Sequence, residues 1–93
     1  MTDQLATTVE NSRPLDKEDL RRLIAEVLDV ETDEVSDQAH FADDLDVDSL
    51  MALEIAVRLE KAYRVKVAES EMTAITTLDG TYRLLERKLQ GAA

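Results

Sequence analysis

The residues best placed to do chemistry sit at one junction, where Ser49 opens an apolar run and Asp43, Asp44, Asp46 and Asp48 precede it. A serine there could act as a nucleophile, cap a helix or take a modification, and the acids could hold a cation. A nucleophilic serine or cysteine needs a base that is itself oriented by a third group. The chain has no cysteine and one histidine, His40, so Ser-His and Cys-His catalysis find little support. His40 has no second ligand nearby and reads as a surface or loop-packing residue. The acids fail as a calcium loop. Asp44, Asp46 and Asp48 fall at its positions 1, 3 and 5, but Ser49 replaces the glycine of the sixth and Ile55 the bidentate glutamate of the twelfth. What remains is a serine at an exposed loop-to-helix junction, flanked by acid.

The elements that must position it are helical. A low aromatic content of 3%, with two glycines and one proline, argues against a sheet-rich domain. Asp16 is placed to cap a first helix, with Glu18 and Asp19 in its first turn. Leu20, Leu23, Ile24, Val27 and Leu28 form its inward stripe, and the helix ends near Asp29. Positions 30–47 read as a long acidic loop whose apolar residues Val30, Val35, Phe41, Leu45 and Val47 pin it to the core.

A second main helix is expected from Ser49 to Ala62. Glu54, Arg58 and Lys61 make one narrow charged stripe, and apolar residues cover almost every other side. Such a helix must be buried on most faces or must also meet a partner. Leu53, if buried, would lose about 2–5 kcal/mol on truncation to alanine. A short helical turn is expected around Glu69–Ala74. Thr77 then caps a last helix with Leu78, Tyr82, Leu85 and Leu89 inward. The fold class is therefore all-α: a small bundle of three main helices plus one short helix, with a long loop between the first two. Residues 1–14 read as a flexible tail, 15–90 as the domain, and 91–93 as a frayed end.

Twenty-one acids against 11 bases give a net charge of -10. That surface repels phosphate backbones, so nucleic acid is not an expected partner. It favours solubility, and it would steer the chain towards basic patches on other proteins. No run of about 18 apolar residues is present, and the N-terminus lacks the pattern of a signal peptide. The expectation is a cytoplasmic monomer with no membrane span.

The segment FADDLDVDSLMALEIAVRLEKAY resembles the phosphopantetheine-attachment region of acyl carrier proteins. Asp48-Ser49-Leu50 matches their Asp-Ser-Leu signature. Phe41, Asp43, Asp44 and Leu45 match the loop upstream, and Leu53, Glu54, Leu59 and Glu60 match the helix downstream. The likeness runs from about Leu20 to Leu89 and includes Thr77-Leu78-Asp79. The family usually carries glycine where this chain has Asp46. Met51-Ala52 after Ser-Leu, and Arg58-Leu59 beyond, are more similar to carriers of polyketide synthases than to fatty-acid carriers.

The resemblance implies that Ser49 Oγ is esterified with 4′-phosphopantetheine from coenzyme A by a phosphopantetheinyl transferase. The arm's thiol then holds acyl groups as thioesters for ketosynthase, acyltransferase and other acyl-processing enzymes, and the chain itself is no enzyme. It also implies that Asp48, Leu50, Met51, Glu54 and Glu60 meet those partners. A polyketide role is the leading expectation, with primary fatty-acid or free-standing peptidyl carriage as alternatives. From a different class, an acidic helical adaptor without a prosthetic group would also fit the composition.

Overall fold

The structure, a computed structural model, describes residues 14–91 of the 93-residue chain. The expected tail, apart from Pro14, and the last two alanines lie outside the described residues. Four α-helices and two 3₁₀ turns follow one another, and no strand occurs among the described residues. Helix α1 spans Lys17–Leu28, α2 Phe41–Leu45, α3 Ser49–Tyr63 and α4 Leu78–Gly91. No helix among the described residues is long and apolar enough to cross a membrane.

The boundaries of α1 follow from its caps. The Asp16 carboxylate accepts the N–H groups of Glu18 at 2.8 Å and Asp19 at 3.2 Å, satisfying donors that a helix start leaves without partners. At the other end Asp29 turns left-handed, with φ 59°, and stops the helix. Leu20, Leu23, Ile24, Ala25 and Leu28 are buried. Val27 is only half-buried, and Ala25 takes the place expected for it.

The long connection is more ordered than its irregular apolar spacing indicates. It contains a 3₁₀ turn, Thr32–Glu34, and the whole of α2. Each piece is about one turn long, too short to repeat an amphipathic period. Their acids act as caps: the Glu34 carboxylate accepts the Glu31 N–H at 3.1 Å, and the Asp44 carboxylate accepts that of His40 at 2.8 Å. Val35, Phe41 and Val47 are buried in the core, as anchors should be, and Val30 and Leu45 are half-buried against it.

Polar bonds then stitch this connection to both outer helices. The Phe41 N–H donates to the Thr76 carbonyl at 2.8 Å, and the Asp79 N–H donates to the Asp37 carbonyl at 3.1 Å. Arg21 reaches from α1 to the Val35 carbonyl and to the Asp37 carboxylate, the latter at 2.6 Å. Lys17 bridges Asp79 at 2.7 Å and Asp37 at 3.5 Å. Hydrogen bonds from Arg21, with Lys17 adding its charge, hold the Asp37 carboxyl below the usual carboxylate range.

After α3 the chain forms a 3₁₀ helix, Glu69–Ala74, where a short helical turn is expected. Glu71 accepts the Ala68 N–H at 2.7 Å and pairs with Lys88 of α4 at 2.8 Å. Helix α4 starts as its sequence indicates: Thr77 Oγ1 accepts the Gly80 N–H at 3.0 Å. A side chain at Gly80 would bring its Cβ to 2.6 Å from the Ala74 carbonyl oxygen, so only glycine permits this approach. Leu78 and Leu85 are buried, while Tyr82 and Leu89 are half-buried. Leu84 and Thr81 complete the inward face, the Thr81 hydroxyl donating to the Thr77 carbonyl at 2.8 Å. The helix continues through Gly91, the first residue of the end expected to fray.

Helix α1 packs on α3 and α4 around one core. Tyr63, Phe41, Leu20, Ile24, Ile55, Leu59, Leu78, Leu84 and Leu85 are its large, fully buried side chains. Leu53 is not among them. It is 53% exposed, so the condition of burial attached to its truncation cost is not met.

Candidate functional site

Ser49 is exposed and is the first residue of α3. The turn before it is set by two aspartates. Asp46 ends α2 in the left-handed region, φ 56° and ψ 37°, and the Val47 N–H then returns to the Phe41 carbonyl at 2.9 Å. The usual glycine of the resemblance is thus met by an aspartate in the conformation that favours glycine. Val47 plugs into the core and leaves the next residues outside it.

Asp48 caps α3. Its carboxylate accepts the Met51 N–H at 2.9 Å, and its carbonyl accepts the Ala52 N–H at 2.9 Å. Two first-turn donors are thereby used, while the N–H groups of Ser49 and Leu50 have no intrahelical acceptor. Among the described residues nothing bonds the Ser49 hydroxyl. A free oxygen at the positive end of a 15-residue helix suits a phosphodiester, whose charge the helix dipole and the open N–H groups stabilise. The site thus fits a phosphopantetheine ester on chemical grounds. Ser49 would hold it, and the backbone of Ser49 and Leu50 would face its phosphate.

Around this point the acids Asp43, Asp44, Asp46, Asp48 and Glu54 are all exposed. His40 is also exposed, with Nδ1 4.0 Å from the Asp43 carboxylate. Helix α3 presents an apolar seam to solvent beside the serine: Leu50 is 73% exposed, Leu53 53% and Val57 41%. These residues follow one face at i, i+3 and i+7. Met51 is half-buried against the core instead. Glu60 is half-buried, and its carboxylate accepts the Val67 N–H at 2.8 Å. One of the five residues expected to meet partners therefore ties down its own chain. Val57 belongs to the seam and was not expected there; with α3 apolar nearly all round, the pattern gives no means of choosing its outward face.

Comparison with known proteins accords with this geometry. A family model described as a phosphopantetheine attachment site matches residues 18–85. Polyketide-8 synthase acyl carrier protein 2 of Streptomyces avermitilis is 65% identical over 75 residues, covering 81% of this chain and 86% of that protein. The chain belongs to the acyl carrier protein family. Acyl carrier protein of Petrotoga mobilis is 35% identical over 72 residues, spanning 77% of this chain and 85% of its own. A meromycolate extension acyl carrier protein of Mycolicibacterium aurum is 35% identical over 68 residues, 73% of this chain and 70% of its own.

As a member, the protein carries acyl intermediates on covalently bound 4′-phosphopantetheine. When bound, that group supplies a thiol that forms thioesters. The carrier's own contribution is tethering, which presents each bound chain to a visiting enzyme at high local concentration.

Proposed function

We propose that Ser49 is the attachment residue and that the protein is a free-standing carrier of polyketide biosynthesis with no catalytic centre of its own. The observation that carries this is the exposed Ser49 hydroxyl at the capped start of α3, inside the segment that the phosphopantetheine-attachment model spans. Formation of the ester joins Ser49 Oγ to the phosphorus of the pantetheine arm and breaks its bond to the adenosine nucleotide of coenzyme A. The proton leaves Oγ in the same exchange. The 65% identity to a carrier named for a polyketide synthase supports the pathway class.

The carrier works as a cytoplasmic monomer, served by a phosphopantetheinyl transferase and then by ketosynthase, acyltransferase and other acyl-processing enzymes. Asp48, Leu50, Met51 and Glu54 contribute to meeting them. Glu60 does so only through the oxygen that Val67 leaves open. Residues 15–90 form the carrier domain.

The test is intact mass after incubation with coenzyme A and a broad-specificity phosphopantetheinyl transferase. Wild-type protein gains one phosphopantetheine and Ser49→Ala gains none. Gain by Ser49→Ala would move the site elsewhere. No gain by folded wild type, with a known carrier modified in parallel, would remove the reading. Malonyl loading by a polyketide acyltransferase then checks the pathway class.

A further inference from the structure

Five cations among the described residues are occupied by the chain's own acids. Lys17 pairs with Asp79 and Asp37, Arg21 with Glu18 and Asp37, Arg22 with Asp19, Arg58 with Glu26, and Lys88 with Glu71. Lys61 is different. It is exposed on α3 and forms no ion pair among the described residues. One turn away on either side stand Val57, Arg58, Arg64 and Val65, so no acid lies at the helical spacings that allow pairing.

Lys61 also continues the exposed seam. Leu50, Leu53, Glu54, Val57 and Lys61 fall at i, i+3, i+4, i+7 and i+11, on one face of α3. Asp48 stands beside Ser49 at the start of the helix, Leu50, Leu53 and Val57 run along the face with Glu54 among them, and Lys61 closes it. In a chain of net charge -10, an exposed cation on that face runs against the bulk field.

We propose that Lys61 is a second docking point, pairing with a carboxylate on the partner enzyme about 18 Å along the helix from Ser49. This rests on the carrier reading above. The separation exceeds the Debye length of about 8 Å at physiological salt, so the acid end does not mask Lys61 and the two ends are read independently. The fitting partner surface is basic at the mouth that takes the arm, apolar in the middle and acidic beyond. A uniformly basic surface would be repelled at Lys61, and a reversed one at both ends. The face therefore fixes the direction in which α3 lies on its partner.

The test compares wild type, Lys61→Met and Gln90→Glu, each converted to the phosphopantetheinyl form and loaded with a thiol-reactive chloroacetyl group. Each is mixed with a ketosynthase that accepts the acyl-loaded wild-type carrier, and the rate of covalent capture is followed at low and high salt. Both variants shift net charge by one negative unit, and Gln90 is exposed on α4. The expected result is capture slowed roughly 3- to 10-fold for Lys61→Met at low salt, with the gap closing as salt rises and no slowing for Gln90→Glu. Capture of Lys61→Met as fast as wild type, or faster, would overturn the pairing, since faster capture marks a partner that is simply basic. Absence of arm loading, seen by mass beforehand, would instead sink the carrier reading and this proposal with it.

Discussion

The Asp48 carboxylate accepts the Met51 N–H at 2.9 Å, so the residue that precedes Ser49 holds the helix that Ser49 begins. Truncating it should expose that role. Asp48→Ala is expected to lose about 1 kcal/mol, within the usual range for a helix cap. Asp48→Asn, which still accepts a hydrogen bond, should recover most of it. Urea midpoints of the three proteins check this. Equal midpoints for wild type and alanine would show that the cap contributes nothing. Because the asparagine variant keeps the cap, any defect it shows in phosphopantetheine transfer belongs to the lost charge.

Asp46 invites the opposite change. Its φ of 56° strains an L-residue, though aspartate tolerates it better than most. Asp46→Gly should raise stability by about 0.5–1 kcal/mol, the relief of strain exceeding the added freedom of the unfolded chain. Asp46→Val should lower it by about 1–2 kcal/mol. A glycine variant less stable than wild type would mean that the aspartate side chain itself holds the turn.

The Asp37 contacts make part of the stability depend on pH. Hydrogen bonds from Arg21, and the charge of Lys17, hold its carboxyl below the ordinary range when folded. The folded chain therefore binds this proton less readily than the unfolded chain does. The stabilisation is complete above the ordinary carboxylate value and is lost as pH falls through the lower, folded one. Wild type should exceed Asp37→Asn in stability at neutral pH, and the difference should close as pH falls from the ordinary carboxylate value of about 4 into the range below it. Urea titrations of both proteins across that range provide the check, and a constant difference would contradict it.

Leu53 and Leu59 sit on one helix with opposite fates, at 53% and 0% exposure. Leu59→Ala should cost about 2–5 kcal/mol as a cavity forms. Leu53→Ala should cost well under about 1 kcal/mol while weakening capture by partner enzymes. A large loss of stability from Leu53→Ala would place that residue back in the core.

Much of the frame was legible from residues. Asp16 and Thr77 announced two helix starts because short polar side chains satisfy open N–H groups. The stripe of Leu20, Leu23 and Ile24 announced a buried face. The order inside 30–47 was not legible, since the Thr32–Glu34 turn and α2 are each too short to show a period. The acids there read as part of a long acidic loop, yet Glu34 and Asp44 close their own turns. At the site, Ser49 and its signature stood out. The exposed placing of Leu53 and Val57 did not, because a helix apolar on nearly every side gives no phase from which to choose an outward face. Nor did the inward duty of Glu60, which depends on Val67 returning past the helix end.

The bonds from the Phe41 N–H to Thr76 and from the Asp79 N–H to Asp37 join the connection before Ser49 to the start of α4, and Lys17 of α1 pairs with Asp79 beside them. Lys17 and Asp79 are 62 residues apart in the chain. While the polypeptide is being made, those partners come last, after α1, the connection and α3. Those long-range ties can close only once the start of α4 has been made, whereas the turn at Asp46 and the cap at Asp48 are local and can form before it.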